Sequence, residues 1–306
     1  MNTGFLYQSI LLMVSLMLVT APAPGQTVQK PLGDKENPLL IGYRDINTGQ
    51  INFYSPDQEI VLGRQLAVEV DRMAKLGDDP LVTEYFDRVG QNIAIHSDAG
   101  MPFTIKIIDS DEVNAFALPG GYLYVNRGML EAADSEAELA WVMAHLIGHV
   151  AARHGLEHES KINLIKYSLP WLFSEDGSDH VSQGCGLSIP LDFLKFSRRA
   201  EEEADQLGAQ YLWASGYDPQ APGDFIEKLH LRAEAKPYTV TRLFKGHLMT
   251  GDRIAKVNSL VARFPDRLLL EPNSFEFSVI KSRLMASHAE RRPADPPDIR
   301  PVLKRR

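Results

Sequence analysis

One stretch limits what this chain can fold into more than any other. From Ala137 to Gly155 it reads AELAWVMAHLIGHVAARHG. Asp134 or Ser135 is placed to cap a helix there, and Gly155 to stop it. His145 and His149 stand four residues apart on that helix, so both rings leave one face within reach of a common ion. The pair alone decides little. A chain with nine histidines can place two at this spacing, and either ring could instead be a hydrogen-bonded core residue. A tetrahedral metal site with one open position needs a third protein ligand, and the acidic run Glu201-Glu202-Glu203 is the best source. Glu201 precedes Asp205 by one helical turn, so the two share a face. That spacing suggests Glu201 on the metal and Asp205 accepting the far ring N–H of a ligating histidine. Glu202 and Glu203 read as a solvated acidic face.

The rest of the chain supplies a mainly helical frame with a small β portion, an α+β architecture. Ser55-Pro56-Asp57-Gln58 is a helix start, with serine as cap, proline at the first position and glutamine placed to reach back. Ile60, Leu62, Leu66, Val70 and Met73 give that helix an apolar stripe, and Gly77 ends it. Asp79-Pro80 opens a second helix. Residues 103–108 alternate with period two and Tyr122-Leu123-Tyr124-Val125 is a second strand. The turn Pro119-Gly120-Gly121 between them predicts a small antiparallel sheet. A long helix runs from about Leu191 to a stop at Gly216, Asp218-Pro219 begins another, Thr250 to Ile254 opens a further one, and Phe275 to Leu284 is the last. Residues 156–190 read as an insertion whose apolar part, around Trp171 and Phe173, is either a lid on the core or a point of membrane contact.

A net charge of -8 with a sequence pI near 5.6 excludes a general nucleic-acid binder, because polyanion binding rests on clustered lysine and arginine. The apolar run Ile10 to Val19 has the length of a signal-peptide core, and cleavage after Gly25 fits the small-residue rule. The alternative is an uncleaved N-terminal anchor. The single cysteine, Cys185, cannot form an internal disulfide and reads as a small hydrophobe. The organisation expected is a signal peptide over 1–25, an extended lead-in over 26–54, one folded domain over 55–287 and a disordered Pro/Arg-rich tail over 288–306.

Several of these pieces stand in an order that resembles a known family. They are Asn114 to Gly121 (NAFALPGG), the helix from Ser135 to Gly155, Glu201-Glu202-Glu203-Ala204-Asp205 with Gly208, Gly216-Tyr217-Asp218-Pro219, and His247-Leu248-Met249-Thr250-Gly251-Asp252-Arg253-Ile254. The chain is similar to the zinc metallopeptidases related to HtpX and the CAAX prenyl protease, and most to their exported BepA-like branch. Together the motifs span about residues 55–287. The resemblance implies a zincin-like fold of the gluzincin type, with the small antiparallel sheet beside the active-site helix. It implies one Zn²⁺ held by His145, His149 and Glu201, with Asp205 behind the ligands and Arg253 paired with a carboxylate that shapes the site. It places His247 beside the metal, able to stabilise an oxyanion or to fill the open coordination position, although Leu248 stands where the family has proline. The segment carrying Asn114, Ala115, Phe116, Tyr122 and Tyr124 would border a substrate cleft and offer backbone to an extended peptide.

Leu146 is the departure. Relatives read H-E-x-x-H where this chain reads His145-Leu146-Ile147-Gly148-His149, and the missing glutamate is the group that takes and returns the water's proton. Leucine does neither, yet metal ligation does not need it. Glu138, Glu157 or Glu159 would have to act instead, and no spacing argues for any of them. The expectation is an exported, periplasmic or envelope-associated zinc protein that binds unfolded or extended polypeptide with hydrolysis lost or strongly reduced. An active metalloendopeptidase of envelope quality control is the alternative. Outer-membrane protein assembly factors are the expected further partners, with no nucleic acid and at most peripheral membrane contact.

Overall fold

Side-chain caps set the helix starts. Ser55, Asp79, Ser135, Ser197, Thr241 and Thr250 each accept a backbone N–H from the first turn that follows, satisfying one donor that the helix itself leaves unpaired. At Ser55 the capping box with Gln58 closes as its sequence predicts. In chain order the elements are α1 (Pro56–Met73), α2 (Pro80–Ile95), β1 (Thr104–Ile108), β2 (Ala115–Leu118), β3 (Tyr122–Asn126), α3 (Arg127–Ala132), α4 (Glu136–Ala151), α5 (His154–Ser168), α6 (Arg198–Ala214), α7 (Pro222–Ala235), α8 (Arg242–His247), α9 (Gly251–Val261) and α10 (Phe275–Arg291).

The computed structural model describes residues 31–168, 196–235, 240–270 and 275–291. From Leu32 onward the chain forms one compact unit. The signal-peptide reading, the apolar segment around Trp171 and Phe173, Cys185 and the tail beyond residue 291 lie outside the described residues. Within the described residues no helix is long and apolar enough to cross a membrane.

The α+β class holds, but the sheet is mixed. Its order is β1-β3-β2, with β1 parallel to β3 and β2 antiparallel to it. The expected antiparallel pair of β1 and β3 is therefore corrected. The Pro119–Gly121 turn joins β3 to β2, a strand whose four residues are all buried and so lack the polar alternation that marks a half-exposed strand. Gly120 and Gly121 adopt φ of 72° and 84°, where side chains are disfavoured, and a Cβ on Gly121 would lie 2.5 Å from the Pro102 carbonyl oxygen.

Helix α4 runs through the centre. All but two of its residues are buried, and it packs on α6, α2 and β2. Each large side chain it removes from water, Leu139, Trp141, Met143, Leu146 and Ile147 among them, contributes about 1.5–3 kcal/mol. A second cluster, Leu66, Val70, Ile108, Phe116, Leu118 and Tyr124, fills the space between α1 and the sheet. The described part of the lead-in is tied to α4 rather than merely extended. Asn47 and Gln50 donate to the Ala151 and Ala152 carbonyls at its C-terminal end, and buried Arg44 pairs with Asp98 at 2.7 Å.

The helix also ends earlier than Gly155. Arg153 takes a left-handed φ of 51°, which few non-glycine residues adopt, and Gly155 lies inside α5. Side-chain anchors hold Arg153 there: its Nε donates to Glu59 at 2.7 Å and its Nη2 to the Tyr54 carbonyl at 3.1 Å.

Helix α1 meets the Pro119–Gly121 turn through Gly63, where an added Cβ would fall 1.9 Å from the Pro119 carbonyl oxygen. Gly63→Ala gains about 0.5–1 kcal/mol of helix propensity but forces backbone apart at an overpacking cost of about 1–3 kcal/mol. The expected result is a net loss of stability in urea unfolding, with the turn that carries β2 displaced.

Candidate metal centre

Four elements converge on one point. Helix α4 supplies His145 and His149, one turn apart; α6 supplies Glu201 in its first turn and Asp205 one turn on; α8 ends on His247; α9 carries Arg253. All six are buried, none more than 5% exposed. The α4 and α6 backbones can approach because each helix presents a glycine to the other at the crossing. A Cβ on Gly148 would lie 3.0 Å from the Ala204 carbonyl oxygen, and one on Gly208 would lie 3.1 Å from the His145 nitrogen.

His145, His149, Glu201 and His247 present ligand atoms that all lie within 4.8 Å of one another. His145 Nε2 is 3.1 Å from His149 Nε2, 3.3 Å from His247 Nδ1 and 3.4 Å from Glu201 Oε2. Glu201 Oε1 is 3.0 Å from His247 Nδ1 and 3.6 Å from His149 Nε2. Tetrahedral ligands at about 2.0–2.1 Å from an ion stand roughly 3.3 Å from each other. The donor set, three imidazole nitrogens and one carboxylate with this spacing, fits a single divalent cation.

Further side chains hold these four in place. Arg253 donates through Nε to Asp205 Oδ2 at 2.5 Å and through Nη2 to Asp205 Oδ1 at 2.8 Å, Glu201 Oε2 at 3.0 Å and the His247 carbonyl at 3.3 Å. One guanidinium thus ties α6 to the end of α8. Asp205 Oδ1 comes within 3.1 Å of His145 Nδ1, near enough for charge attraction but off the N–H axis, so that Nδ1 has no aligned partner. Phe196 stacks on the His149 ring with centroids 3.9 Å apart, and His154 Nδ1 lies 3.0 Å from His149 Nδ1.

The residues expected at the site divide accordingly. His145, His149, Glu201, His247, Asp205 and Arg253 come together. Ala115 and Phe116 lie on β2, an edge strand, and Asn114 directly precedes it. Tyr122 and Tyr124 lie on β3, whose backbone is paired on both sides, so neither offers backbone groups to a peptide. Tyr124 is fully buried and bonds Asp71 and the Ala67 carbonyl. Leu146 is 1% exposed and belongs to the main hydrophobic cluster. Glu138 is engaged by Lys228 and the Asp134 N–H, Glu157 by Lys161 and Glu159 by Asn163, so each of the three already has a partner. Phe196 and His154 were not foreseen. The only signal for His154 was a third histidine five residues past His149, beyond a helix stop placed two residues too late.

This geometry agrees with comparisons to known proteins. The model of peptidase family M48 matches residues 80–261, and the chain belongs to that family. It is similar to the beta-barrel assembly-enhancing protease of Escherichia coli K12, 28% identical over 256 residues, covering 80% of this chain and 52% of that protein. The putative beta-barrel assembly-enhancing protease of Vibrio cholerae is 30% identical over 258 residues with the same coverage, and metalloprotease LoiP of Escherichia coli K12 is 29% identical over 210 residues, 65% of this chain and 79% of that protein. The chain spans about half the length of the two assembly-enhancing relatives. Membership implies a metal ion, and the buried His/Glu group is able to bind one.

In the metal-free protein, burial disfavours a charged His145, but the adjacent Asp205 and Glu201 carboxylates outweigh it and raise its pKa from 6.5 to about 9. Burial prevails at His149, whose pKa falls well below 6.5. For Glu201 burial acts upward, yet His247, His145 and His149 hold it far below the usual carboxylate range. A histidine that binds its proton more tightly folded than unfolded stabilises the fold fully below pH 6.5, and this is lost as pH rises through about 9. The midpoint of thermal unfolding in chelator is therefore expected to fall across that window, and His145→Gln to flatten the decline.

Proposed function

We propose that this chain is a zinc-binding member of the M48 peptidases that holds extended polypeptide and hydrolyses it poorly or not at all. One observation carries the reading: an intact, buried ligand set stands beside Leu146, the residue in the general-base position. His145, His149 and Glu201 would hold the ion, Asp205 would orient His145, and Arg253 would fix Glu201. When bound, zinc would supply Lewis acidity toward a carbonyl oxygen and lower the pKa of a bound water. Leu146 has no atom able to take a proton or return it to a leaving amine. Loss of such a group costs about 10²–10⁴-fold in rate.

His247 strengthens the case. With its Nδ1 3.0 Å from Glu201 Oε1 and 3.3 Å from His145 Nε2, it completes four protein ligands, the arrangement of a structural rather than a catalytic site. A substrate carbonyl would have to displace it. Polypeptide would add along β2, the edge strand reached from Asn114, through backbone hydrogen bonds that tolerate many sequences. The N-terminal apolar run and the assembly-enhancing proteases among the relatives support export to a bacterial envelope and unfolded outer-membrane proteins or their assembly factors as partners.

Native protein is expected to carry one zinc per chain by elemental analysis and to bind an unfolded polypeptide without cutting it. Leu146→Glu, alone and with His247→Ala, should raise cleavage by about 10²–10⁴-fold. Chelator-sensitive cleavage by the native chain, abolished by His145→Ala, would establish an active metalloendopeptidase instead. Protein devoid of zinc would overturn both.

A further inference from the structure

Each α4 histidine of the metal set has a second ring nitrogen that must find a partner inside the protein. A neutral imidazole that turns its Nε2 lone pair toward an ion carries its proton on Nδ1. For His145 the group facing Nδ1 is Asp205. For His149 it is His154 Nδ1, at 3.0 Å. His154 is 2% exposed, too enclosed for water to substitute freely. If His149 donates, His154 Nδ1 must accept, which leaves the His154 proton on Nε2. That nitrogen is itself buried and lacks an aligned acceptor. The carboxylate within reach is Glu203, whose Oε2 lies 3.5 Å away on a side chain 29% exposed, with freedom to close the gap.

We infer that His154 and Glu203 form a positioning relay that fixes the tautomer and orientation of His149, the counterpart on that ligand of Asp205 on His145. The relay rests on the metal-binding reading above. It explains why α4 stops at Arg153: the left-handed turn there, clamped by Glu59 and the Tyr54 carbonyl, places the first residue of α5 against the outer nitrogen of His149. It also gives a role to Glu203, which sits two residues from Glu201 on α6. Helix α6 thereby supplies one ligand and the carboxylate behind each α4 histidine.

Outer partners of metal-ligating histidines change metal affinity by about 10–100-fold when removed. The test is zinc affinity measured by competition with a chromophoric chelator, on the full chain. His154→Leu, which has no acceptor, is expected to weaken zinc by about 10–100-fold. His154→Gln, whose amide oxygen still accepts from His149, should recover much of that loss, and Glu203→Leu should weaken zinc less than His154→Leu. Cobalt-substituted protein adds a spectroscopic readout: the visible bands of His154→Leu should shift while those of His154→Gln stay near native. Thermal unfolding of the metal-free variants controls for packing, which would lower the midpoint of the leucine and glutamine variants alike without separating their zinc affinities. Native zinc affinity in His154→Leu, or equal losses in the leucine and glutamine variants, would overturn the relay and leave the metal site standing. A native chain that takes up no zinc would overturn both.

Discussion

The close crossing of α4 and α6 is the constraint from which the site follows. Two helices usually pack with axes about 8–10 Å apart, the side chains at the contact setting the distance. Here Gly148 meets Ala204, and Gly208 meets the His145 backbone, so contact is between main chains. Only at that range do imidazoles from one helix and a carboxylate from the other meet head to head with gaps of 3.4–3.6 Å. The rest of the fold serves this crossing. The apolar surround of α4 excludes water, the lead-in satisfies its terminal carbonyls, and Arg253 fastens α6 to the chain that follows.

Much of this was legible in the sequence because it depends on period and spacing. Histidines one turn apart and carboxylates one turn apart point to one face wherever the helices go, and caps at Ser55, Asp79 and Thr250 are local chemistry. What failed was non-local or disguised. β2 is buried on both faces, so its residues carry no alternation, and β3 was paired with β1 in the wrong sense. The end of α4 was misplaced because glycine is the usual left-handed residue, whereas here a clamped arginine adopts that conformation. Glu203 looked like solvent-facing charge because its partner, His154, comes from another helix.

Metal binding and proton transfer draw on different residues, so one can persist without the other. The ligands and their supports are tied to one another by a network including Arg253, Asp205 and Glu201, and removing any of them would strand a buried charge at several kcal/mol. The position after His145 has no such ties. Leu146 lies in the main hydrophobic cluster, and a leucine there adds apolar burial. Fold stability therefore favours keeping the buried ion-pair network, and it is equally well served by leucine at position 146.

Charge balance would couple metal binding to the fold. Without metal, Glu201 and Asp205 face Arg253 and the proton that His145 retains up to about pH 9. A divalent ion held by these side chains would displace that proton and add positive charge in a region with little solvent to screen it. Glu203, half-buried behind His154, is the nearby carboxylate able to offset that excess from outside the ligand shell. Glu203 would then serve the metal set electrostatically, whereas Glu202, paired with Arg198 and Lys256 at the surface, is a solvated charge.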